Sequence, residues 1–233
     1  MQHVSASTLN NSLPDRIAYL SSFLNFTEKD GEALRAAKPL VAPLIPAVLD
    51  AVYEKLLSYD ITAQAFVPRN TGYEGETVNN VGELTMEHPQ IAMRRDFLKN
   101  YLVRLVSTSD ISPTSSFWTY LNNVGTMHTG KPGFKHRRNR PDLKVDYIHM
   151  GALLGYVQDI LIDAVMDMDI DLATKSNVLR ALNKMLWIQN DLFARHYIPS
   201  EKAEERQGEN GVDAVHHVEH HAEGGVACPF SRH

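Results

Sequence analysis

Apolar positions along this chain recur at helical, not strand, spacing. Leu13-Pro14-Asp15 opens a short helix carrying Ile17, Leu20, Phe23 and Leu24. Thr27-Glu28-Lys29-Asp30 has the form of a capping box, in which a hydroxyl and a carboxylate satisfy free N–H groups at a helix start. Pro39, Pro43 and Pro46 punctuate the next stretch, and Pro46 suits the first turn of a helix. From there the pairs Leu44/Ile45, Val48/Leu49, Val52/Tyr53 and Leu56/Leu57 draw one broad apolar face, the mark of a core helix. Ile61 to Phe66 predicts a short helical turn, and Asn70 to Gly82 a polar loop. A long helix resumes near Glu87, with Ile91, Phe97, Leu98, Tyr101, Leu102 and Leu105 inward and Arg94 or Arg95 only partly so.

After a break at Ser112-Pro113-Thr114, Phe117, Leu121, Val124 and His128 follow at steps of four, three and four, which puts His128 on an apolar face. Gly130, Pro132 and Gly133 stop that helix within a turn. The basic loop His136-Arg137-Arg138-Asn139-Arg140 leads to two long helices, Leu143 to Met168 and Leu172 to His196. Strand signals are essentially absent, so the expected fold is all-α with seven or eight helices. The first 12 residues form a flexible arm and 13–198 one domain; 199–233 is a polar, His-rich tail that cannot bury enough apolar surface to order itself.

Composition narrows the chemistry. With 233 residues, 43% of them apolar, the chain can bury one sizeable core. A net charge of −5 provides no general basic field for nucleic acid or an anionic membrane. The segment Tyr147 to Met168 is interrupted by Asp159, Asp163 and Asp167, so no apolar run approaches the roughly 18 residues of a spanning helix. A lone Cys228 and no N-terminal apolar signal segment point to a reducing, cytoplasmic setting. No phosphate loop, Gly-x-Ser-x-Gly elbow or His-Glu-x-x-His helix is present. What remains is His128, near Phe117, Trp118 and Tyr120. It can be a haem ligand, its second ring nitrogen donating to the Val124 carbonyl one turn back, or a core histidine bonded to backbone; periodicity alone leaves both open.

Val124-Gly125-Thr126-Met127-His128 resembles the proximal segment of protoglobins and globin-coupled sensors, where a Gly stands three residues before the iron-binding His. Tyr147-Ile148-His149-Met150-Gly151-Ala152 is similar to the start of their next helix. Tyr19-Leu20 to Phe26-Thr27-Glu28-Lys29-Asp30, and Pro43-x-x-Pro46-x-x-x-Asp50-Ala51-Val52-Tyr53, resemble their first helices. The resemblance implies a globin-like fold with an additional N-terminal helix, holding haem b with His128 as the iron ligand. Tyr53 matches the distal tyrosine that donates to a bound gas, and Phe97 a distal aromatic that shields it. Met93, one turn earlier, stands where myoglobin-type globins have a distal His. Val52 takes the place of a Trp found in some protoglobins. With Val124, Tyr147 and Met150, these complete the set expected to touch the cofactor.

The implied function is reversible binding of O2, and of CO and NO, for carriage or sensing. The alternatives are a haem enzyme, such as an NO dioxygenase or peroxidase-like catalyst, and a haem-free helical interaction protein. The sequence supplies no flavin or nicotinamide module and no expected distal His or Arg pair, which weighs against the enzyme. The family's habit implies a homodimer through the two C-terminal helices, and any output would pass through that dimer or an unknown signalling partner. His216, His217, His220 and His221 read as a solvated face rather than a metal site, and Arg137, Arg138 and Arg140 as a solvated loop rather than partners of haem propionates.

Overall fold

The computed structural model describes residues 1–69, 73–139 and 142–198. The tail 199–233, with its histidines and Cys228, and Arg140 lie outside the described residues. The helices are α1 (Ala6–Asn11), α2 (Leu13–Leu24), α3 (Glu28–Val41), α4 (Ile45–Leu57), α5 (Asp60–Ala63), α6 (Pro89–Ser107), α7 (Ser116–Met127), α8 (Tyr147–Met166) and α9 (Leu172–Ala194). Among the described residues the only extended pairing is an isolated bridge between Thr129 and Lys144. The fold is all-α and globin-like.

Local chemistry sets the helix ends. The Ser12 hydroxyl accepts from the Asp15 N–H, with Pro14 in the first turn of α2. At the start of α3 the Asp30 carboxylate accepts from the Thr27 N–H at 2.8 Å and from Lys184 of α9 at 2.7 Å. One carboxylate therefore caps one helix and ties it to another. Burial would raise the proton affinity of Asp30, but the bonds from Lys184 and Thr27 outweigh it and hold the carboxyl below its usual range. The prolines after α3 do not interrupt helical backbone: a single 3-10 turn, Ala42–Leu44, joins α3 to α4, and Pro46 lies in the first turn of α4.

The last helix organises the core. α9 packs on α2, α3, α7 and α8. Its Met185, Ile188 and Leu192 meet Ile17, Phe26, Phe117, Trp118 and Leu121 in one buried cluster. The Trp118 indole N–H donates to the carbonyls of Ile111 and Ser112, so the largest buried side chain is also satisfied. A second cluster joins Val48, Val52 and Tyr53 of α4 to Ile91 of α6.

Two expectations are revised. The second-last helix starts at Tyr147, not Leu143, because the residues before it pair with the end of α7: the Gly130 N–H donates to the Leu143 carbonyl and the Val145 N–H to that of His128, both at 2.9 Å. And α8 is, by length and composition, long and apolar enough to cross a membrane, with almost none of it buried within the chain. Its aspartates are too few to change that description. In this fold it packs on α9 and α4.

Gly125 lets α7 lie directly on α9. A Cβ there would sit 2.8 Å from the Leu192 carbonyl oxygen and 2.9 Å from the Phe193 ring. Replacing a helical Gly normally gains up to about 1 kcal/mol, but forcing a side chain into a filled contact costs about 1–3 kcal/mol, so the overlap dominates. Gly125→Val is expected to lower stability by that larger amount, read as a shifted urea midpoint against the parent chain; an unchanged midpoint would mean the two helices are free to part.

Candidate functional site

His128 caps α7, four residues after Val124 on the helix's buried face. Its Nδ1 lies 2.8 Å from the Val124 carbonyl. A carbonyl only accepts, so Nδ1 carries the hydrogen and Nε2 keeps its lone pair. Among the described residues no hydrogen bond reaches Nε2. The ring lies along that of Phe193 of α9, centroids 6.1 Å apart and planes 27° from parallel. The backbone is held as firmly: the His128 carbonyl accepts from the Val145 N–H, and the Tyr197 hydroxyl stands 3.2 Å from it while donating to the Val145 carbonyl at 2.8 Å. Burial lowers the proton affinity of the imidazole; the Val124 bond opposes this, and Arg137 and Arg94 add to it. The net direction is down, so at neutral pH the ring is neutral.

Tyr53 projects from α4 and is 5% exposed. Its ring centroid is 5.8 Å from that of Phe66. Burial pushes the phenol pKa well up, with Arg94 and Arg95 acting the other way, so the hydroxyl stays protonated and able to donate. Arg95 is itself paired with Asp50, which ties α6 to α4. Arg94 is the common neighbour: it acts electrostatically on Tyr53, on His128 and on Arg137. Residues from α4, α6 and the end of α7 thus share one neighbourhood.

The other expected residues divide. Val52 and Val124 are buried, and Met93 and Met150 half-buried. Tyr147 is half-buried with its hydroxyl donating to Asn190 at 2.7 Å. Phe97, expected on the inward face of α6, is 49% exposed, because Ile91, Arg94, Leu98 and Tyr101 take the inward stripe. The sequence passes over Phe66 and Tyr197, places Arg94 only partly inward although it is buried, and reads Arg137 as part of a solvated loop, whereas Arg137 is 9% exposed. For Arg94 the signal was present: a charge one turn after Ile91 and one turn before Leu98, inside an apolar stripe. For Phe66 and Tyr197 there was none, since each acts through a contact distant in sequence.

Among the described residues no three His, Cys, Asp or Glu side chains are grouped to hold a metal ion. A metal at His128 would have to bring its remaining ligands with it, as haem iron does. The residues fit that group: a neutral imidazole with Nε2 open and, on α4, a buried Tyr53 whose phenol stays protonated.

The family model of protoglobins matches residues 13–203. The chain belongs to the protoglobin family. Among solved structures this protoglobin is similar to the globin domain of a globin-coupled sensor from Geobacter sulfurreducens, at 16% identity and a TM-score of 0.55, covering 77% of this chain and 96% of that one. At that identity the likeness establishes the fold. A search of curated proteins gave no match.

The His128 geometry has a direct consequence for the haem-free protoglobin. Its ring should show the Nδ1–H tautomer and begin to protonate only below the ordinary 6.5. Because the folded pKa is lowered, stability should fall as pH drops through about 6.5, where the unfolded chain takes up the proton first. Nitrogen chemical shifts of the imidazole against pH check both points, and an Nε2–H tautomer or a raised pKa would contradict the geometry.

Proposed function

We propose that this protoglobin holds haem b through His128 and reversibly binds O2, and also CO and NO. The observation that carries the reading is the His128 ring, with Nδ1–H committed to Val124 and Nε2 open in a half-buried, neutral imidazole. Haem supplies an iron with one position open to a diatomic gas. The chain's own residues then have defined tasks. The Val124 carbonyl fixes the tautomer and aims the ring, while Tyr197 and Val145 hold the backbone of the same residue. Tyr53 donates one hydrogen bond to the gas, on the order of 1–3 kcal/mol. Val52, Val124, Met93, Tyr147 and Met150 would line the cofactor, and Phe97, half exposed, would shield the gas. We take 13–198 as the haem domain.

A reversible gas carrier or sensor requires that these two residues be separable by spectroscopy. His128→Ala should lose or displace the Soret band of the haem-reconstituted chain. Tyr53→Phe should keep the band and release O2 about tenfold faster or more, from the loss of roughly 1.4 kcal/mol or more of hydrogen bonding. A parent chain that takes up no haem, or a His128→Ala spectrum identical to the parent's, would sink the reading and favour a haem-free helical interaction protein.

The same reading includes a homodimer through α8 and α9. Its support is the apolar outer surface of these helices, where Ile148, Ile162, Met166, Leu172 and Trp187 are exposed. α8 in particular is apolar throughout yet scarcely buried in its own chain. A second copy would cover that surface in a four-helix arrangement. Trp187→Glu is expected to shift the sedimentation coefficient from dimer to monomer; a parent chain that already sediments as a monomer would refute it.

A further inference from the structure

The loop after α7 gathers charge of the sign opposite to the rest of the chain. Between residues 129 and 146 stand six lysines and arginines against two aspartates, a local balance of +4 in a chain whose net charge is −5. An antiparallel bridge from Thr129 to Lys144 closes this segment at its base, where the Gly130 N–H donates to the Leu143 carbonyl and the Val145 N–H to that of His128. Further out it is pinned to α7. A Cβ at Gly133, whose φ is +65°, would stand 2.4 Å from the Asn123 carbonyl oxygen, and the Phe134 ring lies 5.8 Å from that of Tyr120. Arg137 turns inward, which leaves Lys131, Lys135, Arg138 and Lys144 at the surface. Lys131 and Arg138 flank one cavity with Asp142. The exposed Arg104 of α6, its guanidinium 4.2 Å over the Tyr120 ring, brings a further cation to the ring that Phe134 also meets.

Exposed like charges repel only weakly, by about 1 kcal/mol or less per pair in water, so the fold tolerates the cluster. Their summed field acts at longer range. Set against an acidic remainder, it gives the molecule one positive pole, which draws an acidic partner to this face and turns it on approach. Among the described residues no large apolar side chain is exposed from 129 to 146. That removes the aromatic platform on which single-stranded nucleic acid stacks, and the apolar wedge with which a peripheral protein enters a membrane. It suits the small, polar, transient contact made by electron-carrier proteins. The position suits them too: Lys131 is three residues beyond His128, and the strand bearing Lys144 is hydrogen-bonded through Val145 to the His128 carbonyl. Haem binds O2 only with its iron ferrous, and the sequence carries no flavin or nicotinamide module to restore that state.

We propose that the loop 129–146, with Arg104 beside it, is the docking face for a small acidic one-electron carrier protein that keeps the haem iron ferrous. The proposal rests on the haem reading above. One electron leaves the reduced centre of the carrier and the ferric iron receives it; no bond forms or breaks and no proton moves. Lys131, Lys135, Arg138 and Lys144 meet carboxylates of the carrier as exposed pairs, each worth little alone, so the complex forms fast and parts readily. The pairing of the loop with the end of α7 holds these cations in place before the partner arrives.

In the test the full-length chain is loaded with haem, kept ferric, and titrated with an oxidised acidic two-iron ferredoxin and, separately, with an oxidised acidic flavodoxin. The heat of association then reads docking with no electron transfer. The same carriers, reduced, are next mixed with the ferric chain and the Soret shift is followed in time. The variants are Lys135→Glu/Arg138→Glu on the loop and Lys29→Glu/Lys38→Glu on α3, all at exposed positions and equal in their change of net charge. The parent should bind at least one carrier, with an affinity that falls as salt passes through about 0.1 M, where the screening length is roughly 10 Å. The loop variant should bind about tenfold more weakly and be reduced about tenfold more slowly, while the α3 variant stays within about twofold of the parent. Binding of neither carrier by the parent overturns the proposal, as does equal weakening in the two variants, which would mark a general effect of charge. Weakened binding with an unchanged rate of reduction in the loop variant also overturns it, because the electron then enters elsewhere. If a single-stranded oligonucleotide or phosphatidylserine vesicles bind the parent more tightly than the carriers do and displace them, the loop is a polyanion site and the carrier assignment fails. A parent chain giving no Soret band overturns the haem reading itself, whereas a Soret band without carrier binding overturns only the docking face.

Discussion

The site depends on the contact between α7 and α9 at Gly125. Because this residue has no side chain, the backbone of α7 reaches the Leu192 carbonyl and the Phe193 ring. That approach sets Phe193 alongside the His128 imidazole one turn later and brings the end of α9, with Tyr197, up to the His128 carbonyl. A bulkier residue would move both elements that orient His128. The glycine three residues before the histidine therefore has a steric reason, and the helix propensity it forfeits is small beside the packing it permits.

Electrostatics gives the neighbourhood its second character. Acids are few around His128, and the charges that act on it come from Arg94 and Arg137. Burial, with these charges adding to it, keeps the imidazole neutral, and Arg94 and Arg95 favour ionisation of Tyr53 too weakly to overcome its burial. A neutral imidazole, a protonated phenol and buried cations thus follow from one arrangement of helices.

The hydrophobic surface is used unevenly. α9 buries one face from Val178 to Phe193 and joins the core clusters, while α8, more apolar throughout, contributes little to the interior. Within one chain this is uneconomic, and it becomes intelligible if a second copy covers the outer face. In the sequence the aspartates of α8 serve only to exclude an apolar run of spanning length. The packing shows a helix whose apolar side chains are spread around its circumference, so periodicity could not say which face meets which neighbour.

By itself the sequence determined the helices, most of their ends, the all-α class, and His128 as the singular residue, because these follow from local spacing and capping. Phe117, Leu121, Val124 and His128 fall on one face by the geometry of the helix, and the reach from Nδ1 to the Val124 carbonyl follows from the same turn. The tertiary structure alone decided what arrives from elsewhere in the chain. Phe66 comes to Tyr53, Tyr197 and Val145 to the His128 carbonyl, and Arg94 and Arg137 into electrostatic range of the ring. It also turned Phe97 outward and kept Leu143 to Val145 extended, since the backbone groups there bond to the end of α7 in place of a helical turn. Side-chain burial and long-range pairing depend on which helices touch, and that information is not carried by the period of any one of them.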